Sequence, residues 1–242
     1  MRVENIPQIL TILQTGKMTL RGQFVHGSNY TFLASILYDD QAYPAVYKPV
    51  RGEQPLWDFP AGSLSGREVA AFLVNQSLGW QLVPPTVYRR KAPLGPGSVQ
   101  FYIEHDSEYH YFSFTHEDKQ RLRPAALFDL VVNNADRKGG HILVDENQHI
   151  WLIDHGICFH VEDKLRTVIW DFAGEPIPPD LLADLTRLLN ELEQAGELVE
   201  QLSPYLSPAE IRALERRTRR LIENSCFPHP AASRRPYPWP PV

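Results

Sequence analysis

The sequence predicts an α+β fold in two lobes, a β-rich N-lobe followed by a mainly helical, reduced C-lobe. Residues 1–105 alternate apolar with polar side chains and are rich in β-branched and aromatic types, as strands are. Residues 106–225 instead carry apolar side chains at helical spacing. Residues 226–242 are rich in proline and are expected to form a flexible or surface-draped tail. Strands that come first and helices that come second favour two lobes within one chain.

The N-lobe is expected to hold two helices and five strands. A short amphipathic helix covers residues 5–14 and ends at Gly16, and three strands follow within residues 18–50. A second helix begins at Arg67 and ends at Gly79, because glycine permits the left-handed turn of a C-cap. The remaining strands are predicted at residues 85–92 and 98–105.

The C-lobe is expected to consist of helices around one β-hairpin. Residues 116–135 carry Leu127, Leu130 and Val131 at helical spacing. The segments HILVD and HIWLID lie on either side of the turn ENQ, at residues 146–148, and predict the hairpin. Two longer helices are predicted at residues 179–202 and 207–224.

Composition limits the functions open to this chain. Its 24 Lys and Arg against 29 Asp and Glu give a net charge of −5, so no overall attraction to nucleic acid is expected. The two cysteines form no C-x-x-C pair, which argues against a disulfide framework or a zinc site. No apolar run reaches the roughly 18 residues of a membrane span, and polar residues interrupt the N-terminal apolar run, unlike a signal peptide. We therefore expect a cytoplasmic protein without a transmembrane segment.

The stretch NNADRKGGHILVDENQHIWLIDHG, residues 133–156, places charged side chains at both ends of the predicted hairpin. Asp136, Lys138 and His141 precede the first strand, and Asp154 follows the second. In a hairpin these two ends lie on the same side. Two carboxylates with a lysine and an imidazole nearby suit a divalent cation and a phosphate, because hard cations take carboxylate oxygens and phosphates take basic groups.

The spacing within this stretch is more specific than its chemistry. Lys138 follows Asp136 by two residues and His141 follows it by five, while Asp154 opens the triplet Asp-His-Gly after the hairpin. This order resembles the catalytic loop and metal motif of protein kinases. From about residue 20 to 170 the chain is similar to the protein-kinase-like superfamily, and most closely to its phosphatidylinositol 3- and 4-kinase branch with its small bacterial relatives.

The resemblance implies a two-lobed protein-kinase-like fold that binds ATP with Mg or Mn between the lobes. Lys48, at the end of the third strand, would contact the α- and β-phosphates, and Glu68 would orient Lys48. Asp136 would position or deprotonate the acceptor hydroxyl. Lys138 would neutralise the transferred phosphate, and Asp154 would hold the metal.

The resemblance also implies where the nucleotide lies. The turn between the first two strands would cover the phosphates with backbone N–H groups and a hydroxyl. Adenine would lie against the backbone at the end of the fifth strand. The residues in question are Gly27, Ser28 and Asn29 for the phosphates, and Phe101, Ile103 and Glu104 for adenine.

Three features depart from the family pattern. His141 occupies the position where the relatives usually carry a metal-binding Asn, and imidazole nitrogen is a softer ligand that suits Mn better than Mg. Because histidine ordinarily titrates near neutrality, metal affinity is expected to depend on pH. The glycine-rich loop is also thin, with Gly22 and Gly27 only, and the short segment after Asp154 leaves little room for a long activation segment. The substrate platform is therefore expected to differ from that of well-known kinases.

Each candidate residue also has a purely structural explanation. Glu68 lies three residues after Ser65, which is a capping-box pattern. Lys48 could be a solvated strand-end lysine, Asp136 a turn residue, and His141 a hydrogen-bonded loop stabiliser. Asp154 is harder to explain in this way, because an apolar strand delivers it and a buried unpaired carboxylate is costly.

Four further features have a structural explanation or no assigned role, and two of them also have a possible binding role. Cys158 is expected to be a small buried residue, and His155 is the variable middle of its triplet. The arginines of residues 212–223 are expected to form a solvated face paired with glutamates, or else a contact for an acidic partner or a phospholipid head group. Trp239 in the tail is either part of a docking peptide or without a role.

The function predicted from these residues is ATP-dependent phosphoryl transfer to a hydroxyl of a protein or small molecule. A membrane lipid is a poorer candidate acceptor, since the chain shows no amphipathic insertion helix and is net negative. The alternatives are a nucleotide-binding pseudokinase, which the His141 departure favours, and an adenylyl transferase on the same fold. A β-rich binding module without nucleotide affinity is the alternative from a different class.

Overall fold

The computed structural model describes residues 5–24, 29–231 and 235–242. Its first half is an antiparallel five-stranded sheet with strand order β1-β2-β3-β5-β4. The apolar faces of these strands and one face of α1 enclose a core of their own. The elements are α1 (Ile6–Thr15), β1 (Lys17–Gln23), β2 (Phe32–Tyr38), β3 (Gln41–Pro49), α2 (Leu64–Leu78), β4 (Thr86–Arg89) and β5 (Gly97–Phe101).

The second half is helical apart from one two-stranded hairpin. Its helices enclose a second, larger core. The elements are α3 (His116–Gln120), α4 (Arg123–Val132), β6 (Ile142–Val144), β7 (Ile150–Leu152), α5 (Pro179–Glu193), α6 (Glu197–Leu202) and α7 (Pro208–Asn224).

Two helices that the sequence predicts as continuous are each broken into two. The segment 116–135 divides into α3 and α4, because Pro124 near the start of α4 has no N–H and would clash with the preceding turn of a continuous helix. The segment 179–202 divides into α5 and α6 at Gln194–Gly196. Ala195 there adopts a left-handed backbone with φ of 48°.

The predicted hairpin is confirmed, and its register determines the geometry of the loops at its ends. Ile142 pairs with Leu152, and the N–H of Ile153 donates to the carbonyl of His141 at 3.0 Å. The residues that enter β6 and leave β7 therefore lie side by side.

Helix α2 packs against both cores. Its residues Ala70, Val74 and Leu78 belong to the helical core, although the helix also lies against the β4 and β5 side of the sheet. In return, Leu143 and Trp151 of the hairpin are buried in the sheet core. The two lobes are thus joined by shared packing as well as by the chain between them.

The start of α2 differs from the prediction. The helix begins at Leu64, and its first N–H groups are capped by the carboxylate of Glu53, which accepts from Leu64 N at 3.1 Å and from Ser65 N at 2.8 Å. Ser65 lies inside the helix, and its hydroxyl also donates to Glu53. The capping box of Ser65 and Glu68 is therefore wrong, and the carboxylate of Glu68 is available for other partners.

Several smaller expectations are resolved by burial. Cys158 is fully buried, as expected, and His155 is fully buried as well. The arginines of α7 divide: Arg219 pairs with Glu193 and Glu215 on the surface, whereas Arg217 is buried and donates to backbone carbonyls. No helix in the described ranges is both long enough and apolar enough to cross a membrane.

Candidate active site

Lys48 is the centre of the site. It lies near the end of β3, opposite Ser98 of β5, and its ammonium donates to the carboxylates of Glu68 and Asp154. Glu68 comes from α2, and Asp154 follows β7. One partly buried cation on β3 therefore connects two carboxylates, one from α2 and one from the segment after β7.

Lys48 and Asp154 keep each other charged. Burial disfavours the charged form of Lys48, but the carboxylates of Asp154 and Glu68 outweigh it and raise the pKa of the lysine. Burial likewise opposes ionisation of Asp154, but the Lys48 ammonium and His141 leave the pKa of that carboxyl below its usual range. Asp154 is also the more accessible partner, since 45% of its side chain is exposed. Near neutral pH the site thus holds a fixed cation and an accessible anion.

Glu68 has a second partner besides Lys48. Its other carboxylate oxygen accepts from the backbone N–H of His155 at 2.9 Å. Because His155 is the middle of the Asp-His-Gly triplet, Glu68 holds both Lys48 and the segment that carries Asp154. The Glu68 side chain is almost fully buried, and it has two partners outside its own helix. Glu68 is therefore not a residue that only caps a helix.

Asp136 and Lys138 lie together on the loop that enters the hairpin. The Nζ of Lys138 is 3.7 Å from the Asp136 carboxylate, and the backbone N–H of Asp136 donates to the side chain of Asn134 at 2.9 Å. Burial raises the pKa of Asp136 above its ordinary value, although Lys138 and Arg166 oppose the shift. A carboxylate of raised pKa is a stronger base than an ordinary aspartate.

His141 lies beside Asp154. Its Nε2 is 3.2 Å from the Asp154 carboxylate, and its Nδ1 accepts from the backbone N–H of Lys138 at 3.4 Å. Burial lowers the pKa of His141 to about 4, although Asp154 acts in the opposite direction. The expectation that His141 titrates near neutrality is therefore wrong, because desolvation disfavours the imidazolium. The ring is neutral at pH 7, and because Nδ1 accepts from Lys138 its proton lies on Nε2. Ligation of a metal through Nε2 would require this proton to move to Nδ1 or to leave the ring.

Asp154 has an unusual backbone conformation. Its φ is 60°, in the left-handed region that non-glycine residues seldom occupy. Such conformations cost of order 1–3 kcal/mol and cluster at functional sites, where the surroundings impose them. Here the contacts with Lys48 and His141 hold the side chain in place.

The donor set fits a divalent cation that is held partly by protein side chains and partly by phosphate oxygens. Asp154 offers an accessible carboxylate and His141 a neutral imidazole nitrogen. Within the described part of the chain, no group of three or more His, Cys, Asp or Glu side chains is placed to enclose an ion. Mg²⁺ in nucleotide sites is usually held by one or two carboxylates together with phosphate oxygens, so two protein donors are consistent with such a site.

A buried pair that the sequence analysis did not identify supports this loop. Arg137 and Asp129 are fully buried, and the guanidinium Nε lies 3.1 Å from each carboxylate oxygen. The same guanidinium donates to the carbonyls of His141 and Ile153. The signal was present in the sequence, since Asp129 is the only charged residue in the apolar run ALFDLVV.

His155 completes this support. Burial lowers the pKa of His155 far below its usual value, so the ring is neutral and its Nε2 accepts from Arg137 at 2.8 Å. Arg137 therefore joins α4, the catalytic loop and the Asp-His-Gly triplet through one side chain. His155 has a structural partner, as its position in the triplet suggested.

The residues predicted for the nucleotide are placed less closely together. Gly27 and Ser28 lie outside the described residues. The side-chain oxygen of Asn29 accepts from the backbone N–H of Gln54 at 2.7 Å, so Asn29 lies against the segment that follows β3. Phe101 and Ile103 are buried in the sheet core, so adenine would have to meet the backbone there. Glu104 is exposed and lines a cavity of about 170 Å³ with Phe101, Tyr102, Ile103 and the hairpin turn.

Arg67, adjacent to Glu68 on α2, was also missed by the sequence analysis. Its buried guanidinium pairs with Glu210 of α7, donates to the carbonyl of Cys158 at 2.7 Å, and lies over the ring of Phe59. Glu210 in turn caps the start of α7 with Ser207. The helix that carries Glu68 is thereby connected to the start of α7, the last helix of the C-lobe.

The geometry and the comparisons agree on the class of protein. This is a two-lobed protein-kinase-like fold, in which a lysine of β3 contacts a glutamate of α2 and the aspartate that follows β7. Residues 72–209 match the family model described as Phosphatidylinositol 3- and 4-kinase. The chain belongs to the phosphatidylinositol 3- and 4-kinase family, and it is a kinase-like phosphotransferase by that membership.

Two relatives differ in how much of them the chain covers. It is 39% identical over 264 residues to Protein Rv2133c of Mycobacterium tuberculosis, which covers 95% of this chain and 94% of that protein. It is 30% identical over 177 residues to Phosphatidylinositol 4-kinase gamma 4 of Oryza sativa subsp. japonica, which covers 57% of this chain and 31% of that protein. The small bacterial protein thus matches over nearly its whole length.

A solved structure supports the fold at low sequence identity. The Golgi casein kinase with Mn/ADP bound superposes with a TM-score of 0.59 at 16% identity, over 98% of this chain and 80% of that one. At this identity the likeness establishes the fold and not the substrate.

Proposed function

We propose that this protein transfers the terminal phosphoryl group of ATP to a hydroxyl of a protein or small molecule. One observation carries the proposal: Lys48 contacts both Glu68 and Asp154. In protein kinases the same lysine–glutamate pair and metal-motif aspartate must both be in place for transfer. The contacts of Lys48 with Glu68 and Asp154 therefore support the proposal.

Each charged side chain then has a role that its position supports. Lys48 would hold the α- and β-phosphates, and Glu68 would fix Lys48 in position. Asp136, with its raised pKa, would accept the proton of the attacking hydroxyl as the new oxygen–phosphorus bond forms. Lys138, close to Asp136, would neutralise charge on the transferred group. These roles are electrostatic and positional, which is what catalysis of phosphoryl transfer requires.

Asp154 and His141 are the residues that would hold a divalent cation in this site. Such an ion would neutralise phosphate charge during transfer. Residues 101–104 would receive adenine through their backbone groups.

Calorimetric titration of ATP with Mg or Mn into the purified protein and an Asp154→Asn variant tests the proposal. We expect metal-dependent binding that the variant loses, because Asn cannot supply the anionic ligand. A matched control is Asp163→Asn, because Asp163 forms an ion pair with Arg220 on the surface. Absence of binding to the native chain with either metal would contradict the proposal.

The main alternative is a pseudokinase that binds nucleotide without transfer, which His141 in the usual Asn position favours. Mass spectrometry of mixed acceptors after incubation with ATP distinguishes the outcomes. A phosphate added to an acceptor indicates a kinase, an added adenylyl group indicates an adenylyl transferase, and no change with intact ATP binding indicates a pseudokinase.

A further inference from the structure

The described end of the tail, residues 235–242, runs along the loops around Asp136. The carbonyl of Pro236 accepts from the backbone N–H of Thr167 at 3.0 Å and from the indole N–H of Trp170 at 3.2 Å. The carbonyl of Pro241 accepts from the backbone N–H of Gly139 at 2.8 Å. The segment is therefore held at two points, five residues apart.

Both attachment points belong to the proposed active site. Gly139 directly follows Lys138. Thr167 lies in the segment that pairs with the catalytic loop, where Arg137 N donates to the carbonyl of Arg166 at 2.9 Å and Val168 N donates to the carbonyl of Arg137 at 3.2 Å. The tail thus lies against the two chain segments that flank Asp136.

The tail also enters from an open cleft beside this loop. Arg235 lines a cavity of about 690 Å³ together with Trp57, Lys164 and Arg166. Arg166 donates to the carbonyl of Ala135, the residue before Asp136, at 2.6 Å. An acceptor that approaches Asp136 through this cleft would meet the tail.

The contacts are those that hold an extended peptide. Two backbone N–H groups and one indole N–H bind carbonyls of the tail, and Pro238 between them is buried. Tyr237 is about half exposed and Trp239 is 74% exposed, so their side chains contribute little burial. Backbone recognition of this kind tolerates many sequences, with a pocket for one side chain providing selectivity.

We propose that this surface is a binding site for extended polypeptide segments, and that residues 235–242 occupy it from within the same chain. A peptide acceptor would then have to displace the tail before its hydroxyl reaches Asp136. The statement about acceptors rests on the proposed phosphotransferase activity, whereas the statement about peptide binding does not.

The test uses full-length chains and a labelled peptide of the tail sequence, Arg-Pro-Tyr-Pro-Trp-Pro-Pro-Val, with binding measured by fluorescence anisotropy. Pro238→Asp places a charge at the buried position and should release the tail. Val242→Asp adds the same charge at an exposed position and is the control. Because a tethered segment competes at a high effective concentration, we expect the peptide to bind Pro238→Asp on the order of ten-fold or more tighter than the native chain or the control.

A further variant examines the surface itself. Trp170→Phe, introduced into Pro238→Asp, removes the indole donor and should weaken peptide binding by about two- to ten-fold. Equal binding by the native chain and Pro238→Asp, or binding by neither, would overturn the proposal.

Activity is measured on the same proteins with dephosphorylated casein and ATP. Faster transfer by Pro238→Asp than by the native chain is the expected result, and slower transfer would mean that the tail supports the loop, against the proposal. If metal-dependent ATP binding is absent from all chains, the phosphotransferase proposal fails, while the anisotropy result still decides whether the surface binds peptides.

Discussion

Asp136 is a partly buried carboxylate whose pKa lies above its ordinary value. As the proposed base it must be deprotonated to act, so activity should fall as the pH drops through this raised pKa. The acid limb of the rate profile should therefore lie above the ordinary aspartate value of about 3.9. Formation of ADP from ATP in the presence of dephosphorylated casein, measured across pH, tests this directly.

The matching variant is Asp136→Asn, which keeps the size of the side chain and removes the base. Its rate should fall by about 10²- to 10⁴-fold, and the remaining activity should show no limb in that pH range. A native profile that falls only at the ordinary aspartate value, or a variant that keeps the limb, would assign the titration to another group.

His141 provides a prediction about metal choice. Its neutral imidazole lies next to Asp154, at the position where the relatives usually carry Asn. His141→Asn replaces a softer nitrogen with a harder oxygen, so the preference for Mn over Mg in ATP binding should fall several-fold. Calorimetry with both metals measures the ratio, and an unchanged ratio would mean that His141 does not ligate the ion.

At the scale of elements, α2 depends on a buried ion pair. Arg67→Met or Glu210→Leu alone leaves one buried charge unpaired and should cost about 3–5 kcal/mol of unfolding free energy. The double variant should cost much less than the sum, because both charges are removed. Urea unfolding of the four chains measures the coupling.

The surface pair of Arg219 and Glu215 serves as the control for this cycle. It is solvent-exposed, so its removal should cost about 1 kcal/mol or less. Additive costs for Arg67 and Glu210 would show that the two residues stabilise α2 independently.

Elements also show how far the sequence could be read. The hairpin, the sheet strands and the end of α2 at Gly79 could be predicted, because alternation and turn residues are local signals. The breaks at Pro124 and Ala195 are local too, but apolar periodicity runs through both and conceals them. The cap of α2 could not be predicted, since Glu53 is brought to Ser65 only by the fold.

In the whole molecule, the residues with specific spacing were the ones that could be found. Lys48, Glu68 and Asp154 meet as their order along the chain implied. Arg67 and Glu210 are 143 residues apart in sequence, and no local pattern joins them. The placement of the tail also depends on three-dimensional contacts, although its proline content predicted a flexible or surface-draped tail.

The lobes of this molecule share core packing through α2 and the β6–β7 hairpin. A chain whose lobes were connected only by a linker would lose its structure in separate steps on heating. Here the loss of either core would expose apolar surface of the other, so we expect the lobes to unfold as one cooperative unit. Damage to the sheet, even far from Lys48, should therefore lower the population of chains with an intact candidate site as effectively as damage to the helices.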